Sequence, residues 1–271
     1  MVDVHAHVLP GVDDGAPDLQ ASLEMLRQSA RCGTTDLVAT PHQHPARYPN
    51  EPEVLLAAYE ELSAALEVAR ASGERLPRVH LGAEVHLDGD IAGLVASGRR
   101  LRLASGPYLL LELPDVFHVE AVDELVHELL LAGVTPLLAH PERIGQLLRH
   151  PGQLRRLVDL GALGQVTGSS LAGDFGRPCR GVAEEWLAEG MLHVVASDAH
   201  DLRRRTTDLS RARAAVGALM GERAVRVLFE ERPRAILEGR AFDPEPPSRD
   251  SPPRASGWRA RLSGLLGRNV R

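Results

Sequence analysis

The chain contains no lysine; all 31 of its Lys-plus-Arg positions are arginine. That absence excludes a lysine Schiff base and a lysine general base. Cysteine is scarce too. Cys32 and Cys179 are the only two, and they form no Cys-x-x-Cys pair. Neither opens the Cys-x5-Arg loop of a thiol-dependent phosphatase, because Val38 and Glu185 stand where the arginine is needed. Two small residues in a reducing compartment is the expected reading. No apolar run approaches the length of a membrane span. The opening Met1–Gly11 lacks the basic region and long apolar stretch of a signal peptide, so the expected location is the cytoplasm. Excess positive charge is missing as well. With 37 acidic residues the net charge is −6, which argues against a nucleic-acid binder held by bulk charge.

What is present is an alternation of short apolar runs with longer amphipathic ones. Seven runs read as buried strands: Val2–Val4, Asp36–Thr40, Arg78–Gly82, Tyr108–Leu111, Thr135–Ala139, Gly164–Val166 and Leu192–Ala196. They are rich in Val and Leu and mostly follow Gly or Pro, as buried parallel strands do. Between them Leu19, Leu23, Leu26 and Ala30 keep helical spacing behind Asp18, an expected N-cap. Val119, Val122, Val126 and Leu129 do the same, and Glu51–Ser72 and Asp208–Leu219 read as further helices. The 271 residues suffice for one large domain. The alternation predicts a single β/α barrel, with an open doubly wound sheet as the alternative.

Composition shifts after Phe242. Residues 243–256, with Pro244, Pro246, Pro247, Pro252 and Pro253, read as an extended linker. Residues 257–271 form a tail with two readings. Trp258, Leu262, Leu265 and Leu266 fit one face of a helix, with Arg259, Arg261 and Arg268 elsewhere. Such a basic amphipathic helix would make weak peripheral contact with the anionic inner face of a membrane. A frayed tail with scattered apolar residues is the other reading. Domain 1–242 is then the catalytic unit.

The chemistry sits at the predicted strand ends. The first run ends in His5-Ala6-His7, and period-two alternation points both imidazoles to one side. A turn with two carboxylates, Asp13 and Asp14, follows. The next ends carry His42 (with His44 close behind), Glu84, Glu112, His140, and Asp198 with His200. Any one of these has a bland explanation; their repetition at the ends that converge on a barrel's mouth does not. Glu84 and Glu112 each close an apolar run, and a buried carboxylate is costly unless paired or metal-bound. His5, His7, Asp14, His42, Glu84, Glu112, His140, Asp198 and His200 make nine candidate ligands. One zinc needs about four, so two or three divalent ions are expected. A nitrogen and oxygen set without sulfur suits Mn, Fe or Zn better than Cu(I) or an iron–sulfur cluster. Arginines stand beside the ligands: Arg143 in His-Pro-Glu-Arg, Arg203, Arg204 and Arg205 after His200, and Arg47 after His42. Guanidinium matches phosphate oxygens, and Arg143 is the strongest candidate among them.

These motifs resemble the PHP (polymerase and histidinol phosphatase) superfamily. More narrowly the chain is similar to the bacterial manganese-dependent protein-tyrosine phosphatases of the CpsB/CapC type. The likeness rests on Asp3–His7 with Pro10–Gly15, Ala39–His42, Gly82–Glu84, Leu111–Pro114, Ala139–Arg143, Gln165–Leu171 with Gly173–Gly176, and Ala196–His200. It implies a distorted (β/α)7 barrel and a trinuclear centre, Mn most of all, with Fe, Zn or Mg as substitutes. It implies ligand roles for the nine residues and phosphate contacts from Arg143 and Arg205. It implies a substrate, phosphotyrosine on the tail of a bacterial tyrosine autokinase that controls capsule or exopolysaccharide synthesis. Two alternatives stand beside it: a small-molecule phosphoesterase such as a histidinol-phosphate phosphatase, and an inactive metal-binding scaffold. Homo-oligomerisation is left open.

Overall fold

The computed structural model describes residues 1–247. Among them the strands are β1 (Val2–Ala6), β2 (Asp36–Ala39), β3 (His42–Gln43), β4 (Arg78–Leu81), β5 (Glu84–His86), β6 (Tyr108–Glu112), β7 (Thr135–Ala139), β8 (Leu163–Thr167) and β9 (Val194–Ala196). Every pairing between them is parallel. They form two sheets, ordered β1-β2-β4 and β3-β5-β6-β7-β8-β9. The fold is therefore mixed α/β with parallel strands, and no closed barrel is seen among the described residues. Strand order follows the chain without the reversal that a doubly wound sheet requires.

All seven predicted runs fall on strands. Two of them differ in detail, because they resume after a break as β3 and β5. Pro41 has no N–H to continue the ladder. Gly82 sits so close to its neighbours that an added Cβ would lie 3.0 Å from Val38 Cγ1 and 3.1 Å from Leu103 Cδ2. The two paths stay together through the break: Gly82 N donates to Ala39 O at 2.9 Å and Glu84 N to Pro41 O at 3.1 Å. On the far side β1 and β9 run alongside each other. There Asp198 N donates to His5 O and His7 N to Ala199 O, both at 2.8 Å.

Most of the strands are buried on both faces, β4 being the chief exception. Leu109 and Leu111 of β6 join the apolar cluster beneath the helices, while Leu110 between them joins Val2, Val4, Val38, Leu137 and Val194 on the inner side. The helix Val119–Leu131 packs through Val122, Leu125, Val126 and Leu129, close to the predicted stripe. The helix Leu19–Arg31 does not follow its predicted face. Asp18 caps it as expected, accepting from Ala21 N at 2.8 Å. Its buried stripe, however, is Ser22, Met25, Leu26 and Ser29. Leu19 and Leu23 only flank the cluster that Met25 and Leu26 make with Ala6, Leu37 and Ala39. The helix Pro52–Ala71 lies within the predicted Glu51–Ser72, whose end residues are its caps. The later helix starts at Ser210, not Asp208, because the Asp208 carboxylate accepts from Ser210 N at 2.8 Å.

Residues 243–247, the start of the predicted linker, lie against the body. The buried Arg232 guanidinium donates to Asp243 O at 2.7 Å and to Glu245 O. The rest of the linker and the predicted tail 257–271 lie outside the described residues. No helix among the described residues is long and apolar enough to cross a membrane.

Candidate metal centre

The strands deliver the nine nominated residues to one place. His5 is the fourth residue of β1 and His7 follows its end; their Nε2 atoms are 3.2 Å apart. Glu84 opens β5, Glu112 closes β6, and His140 follows β7. Asp198 and His200 follow β9, and Asp14 reaches in from the turn after His7. Donor atoms from these residues fall into four overlapping groups, each with all its atoms within 4.8 Å of one another: His7, Asp14, His42 and His200; His5, His7 and Glu84; His5, His140 and Asp198; His42, Glu84 and Glu112. All nine appear, and among the described residues no tenth joins them. His5, His7, His42 and Glu84 each serve two groups.

Two contacts within the cluster are short, His140 Nε2 to Glu84 Oε1 at 2.8 Å and His42 Nδ1 to Glu84 Oε2 at 2.9 Å; the others are longer. His5 Nε2 lies 3.4 Å from both Glu84 Oε1 and Asp198 Oδ1. His7 Nε2 is 3.4 Å from Glu84 Oε2, and Asp14 Oδ1 is 3.4 Å from His42 Nε2 and 3.5 Å from His200 Nε2. Such spacings are long for charge-assisted hydrogen bonds. Ligands about 2.1 Å from one ion stand roughly 3 to 3.5 Å apart. Two inward atoms, Asp198 Oδ1 and His200 Nε2, are buried with no hydrogen-bond partner. Orphaned buried polar atoms are rare and costly, and their convergence here fits divalent cations.

Outer partners aim the imidazoles. Gln165 Oε1 is 2.9 Å from His5 Nδ1, Asp13 Oδ2 is 2.7 Å from His7 Nδ1, and the Asp198 carbonyl is 3.1 Å from His200 Nδ1. A hydrogen bond at one ring nitrogen turns the lone pair of the other toward the centre. Asp13 also accepts from the backbone of His42 and Gly15. Backbone strain contributes: His140 (φ 34°) and Asp198 (φ 52°) occupy the left-handed region, at a cost of about 1–3 kcal/mol each.

The electrostatics favour positive charge. Burial opposes a charged His7, yet the Asp13 carboxylate outweighs it and lifts the imidazole to about 9. Burial likewise opposes a charged His42, but the Asp14 and Glu84 carboxylates raise it to about 11. Glu84 is buried, which favours its neutral form, but the charge of His5 and the hydrogen bonds of His140 and His42 hold it well below the usual carboxylate range. Asp198 is also held low, as His5, His140 and Arg205 overcome its burial.

Arg143 and Arg205 meet at the same oxygen. Arg143 Nη1 is 2.6 Å and Arg205 Nη2 2.5 Å from Asp198 Oδ2, while Asp198 Oδ1 faces the histidines. Both guanidiniums are thus anchored at the edge of the cluster. Arg143 belongs to a turn pinned by Glu142, whose buried carboxylate accepts from Thr167 N at 3.0 Å and Ser170 Oγ at 2.7 Å. Arg47, Arg203 and Arg204 are exposed and line two cavities beside the centre.

Sequence reasoning missed Gln165, His86 and the separate role of Asp13. His86 Nδ1 is 3.2 Å from Glu112 Oε2 and its ring stacks on His44 at 4.1 Å. A signal existed for Gln165: it lies on β8, the one predicted strand without a ligand at its end. For Asp13 the paired acids of the turn were visible, but not their division of labour. Nothing in the pattern marked His86.

Comparison with known proteins gives the site a context. A family model described as "Capsular polysaccharide synthesis, CpsB/CapC" matches residues 1–238. The chain is 35% identical over 206 residues to the tyrosine-protein phosphatase YwqE of Bacillus subtilis, covering 76% of this chain and 79% of that protein. It is 30% identical over 240 residues to CapC of Staphylococcus aureus, covering 89% and 90%. A solved structure from a study of YwqE from Bacillus subtilis and CpsB from Streptococcus pneumoniae, described as unique metal-dependent tyrosine phosphatases, superimposes with a TM-score of 0.85 at 30% identity. It covers 93% of this chain and all of that one.

Proposed function

The chain belongs to the CpsB/CapC family of capsular polysaccharide synthesis, and on that premise we propose that it is a metal-dependent protein-tyrosine phosphatase. The observation that carries this reading is the set of four overlapping donor groups, which together use all nine His and carboxylate residues. His5, His7, Asp14, His42, Glu84, Glu112, His140, Asp198 and His200 hold two or three divalent ions, with manganese the proposed occupant. Glu84 belongs to two of the groups and would be available to both. Ions held there supply an activated water and neutralise charge on a phosphate ester.

The protein's own contribution is aim and charge. Arg143 and Arg205 contact the phosphoryl oxygens and offset the charge that grows on them in the transition state. Asp198 keeps both guanidiniums turned inward through its Oδ2. The leaving tyrosine has a pKa of about 10, so it departs with little need for a proton donor. No thiol takes part: Cys32 and Cys179 are only partly buried, and burial raises rather than lowers both thiol pKa values.

The substrate we propose is the phosphotyrosine tail of a bacterial tyrosine kinase in capsule or exopolysaccharide synthesis, dephosphorylated in the cytoplasm. The catalytic unit ends near Phe242. Its two sheets act as one distorted seven-stranded barrel, in which β2 runs on into β3 and β4 into β5. The hydrogen bonds across Ala39–Gly82 and Pro41–Glu84, and those between β1 and the residues after β9, support this.

Turnover of a phosphotyrosyl peptide and of histidinol phosphate by the metal-loaded protein tests the reading. The peptide is expected to be the better substrate. Preference for histidinol phosphate, or turnover of neither, contradicts it.

A further inference from the structure

Among the described residues Phe175 is the one aromatic side chain left exposed, at 38%, in a chain with only 3% aromatics. Its position is not arbitrary. It lies between the helices Gly168–Ala172 and Arg177–Ala188, on a short turn bounded by Gly173 (φ 88°) and Gly176 (φ 89°). The Arg143 guanidinium carbon sits 4.7 Å over its ring centroid. The ring also lines a cavity of about 660 Å³ together with Arg205, Gly168 and Ser169. Phe175 therefore touches one proposed phosphate arginine and shares a cavity with the other, and both arginines meet at Asp198.

A phenyl left partly exposed at a cavity mouth, against one of the proposed phosphate arginines, offers an aromatic contact surface there. Arg143 lies over the ring, and part of the side chain stays open to the cavity. A phosphoryl group gripped by Arg143 and Arg205 brings the group esterified to it alongside that open surface. An aryl ring meets Phe175 by stacking or edge-to-face contact, whereas an alkyl chain offers no comparable partner.

The geometry points to Phe175 as a specificity-determining residue, which receives the aryl ring of the substrate and favours aryl over alkyl phosphates. This rests on the proposed phosphatase reading and adds to it the reason that a tyrosyl ester is selected. The competing location is the second cavity, about 450 Å³, where the stacked His44 and His86 rings stand near Arg143 on its other side.

The test is binding of phenylphosphonate and methylphosphonate to the metal-loaded full chain, compared in Phe175→Ala, Phe175→Trp, His44→Ala and the unaltered protein. The unaltered protein is expected to favour phenylphosphonate. Phe175→Ala is expected to lose about two- to tenfold of that affinity, the size of an aromatic pair, with methylphosphonate little changed. Phe175→Trp restores it. Equal weakening of both ligands by Phe175→Ala overturns the proposal, since Phe175 would then serve only to hold Arg143. No change, no binding of either ligand, or a selective loss in His44→Ala instead overturns it as well. Turnover of a phosphotyrosyl peptide by the unaltered protein is scored separately, so that failure of the phosphatase reading is distinguished from failure of this one.

Discussion

The two ends of the parallel strands bury charge in opposite ways. Near their beginnings Asp36 and Arg232 each have their own partners. Asp36 receives Arg78 at 2.8 Å, Arg234 at 3.0 Å and the Thr35 hydroxyl at 2.9 Å. Burial alone would raise its pKa, but Arg78 and the other donors hold it well below the usual range. Arg232 is satisfied by the carbonyls of His193, Asp243 and Glu245. At their far ends carboxylates and imidazoles crowd one another, most at 3.4–3.6 Å and Glu84 at 2.8–2.9 Å from His140 and His42, with several atoms orphaned. The first arrangement is complete as it stands. The second leaves donors that cations would satisfy. Buried charge by itself is therefore no mark of function here; buried charge with converging, unpaired donors is.

Substitutions at the two ends should differ accordingly. Glu84→Gln removes a donor shared by two groups and is expected to lower turnover more than about a thousandfold, since an outer partner alone is worth about 10–100-fold. Gln165→Ala and Asp13→Ala, which remove the partners of the far nitrogens of His5 and His7 and of the backbone amides of His140 and His42, are expected to cost about 10–100-fold in metal affinity or activity. Metal titrations and steady-state rates read both. If the outer substitutions were silent, the pre-aimed imidazoles would lose their significance.

At the other end the expected effect is on stability and depends on pH. His193 is fully buried, its Nδ1 accepts from Gly164 N at 2.9 Å, and burial together with Arg232 lowers it to about 4. Its folded form binds fewer protons than its unfolded form, whose pKa is near 6.5. Its contribution is thus fully present above about pH 6.5 and is lost as pH falls toward 4. Chemical denaturation of the unaltered protein should show a loss of about 2 kcal/mol between pH 8 and pH 5 that His193→Gln lacks. Parallel pH profiles for the two proteins would remove His193 from the account.

The sequence pattern carried the strands well because most are short apolar runs buried on both faces. It carried the donors because each stands where such a run stops, as Glu84 and His140 do. It named Asp14 and not Asp13 among the ligands, but it carried no physical reason for the choice: both belong to one turn, and the fold sends one carboxylate inward and the other to His7 Nδ1. Nor could it foresee the buried face of the helix Leu19–Arg31, where Ser22 and Ser29 lie inward and Leu23 sits at the margin. Hydrophobic spacing reports a face only when the most apolar side chains are the ones that fit. Phe175 escaped notice for the converse reason, since an exposed ring in a glycine-bounded turn has no periodicity to betray it.

The central claim is that the orphaned donors at the strand ends require ions for catalysis. Metal-stripped protein titrated with manganese, with bound ions per chain counted against phosphotyrosyl-peptide turnover, tests it most directly. No turnover is expected without metal, with recovery as two or more ions bind per chain. Full turnover by the stripped protein would contradict it.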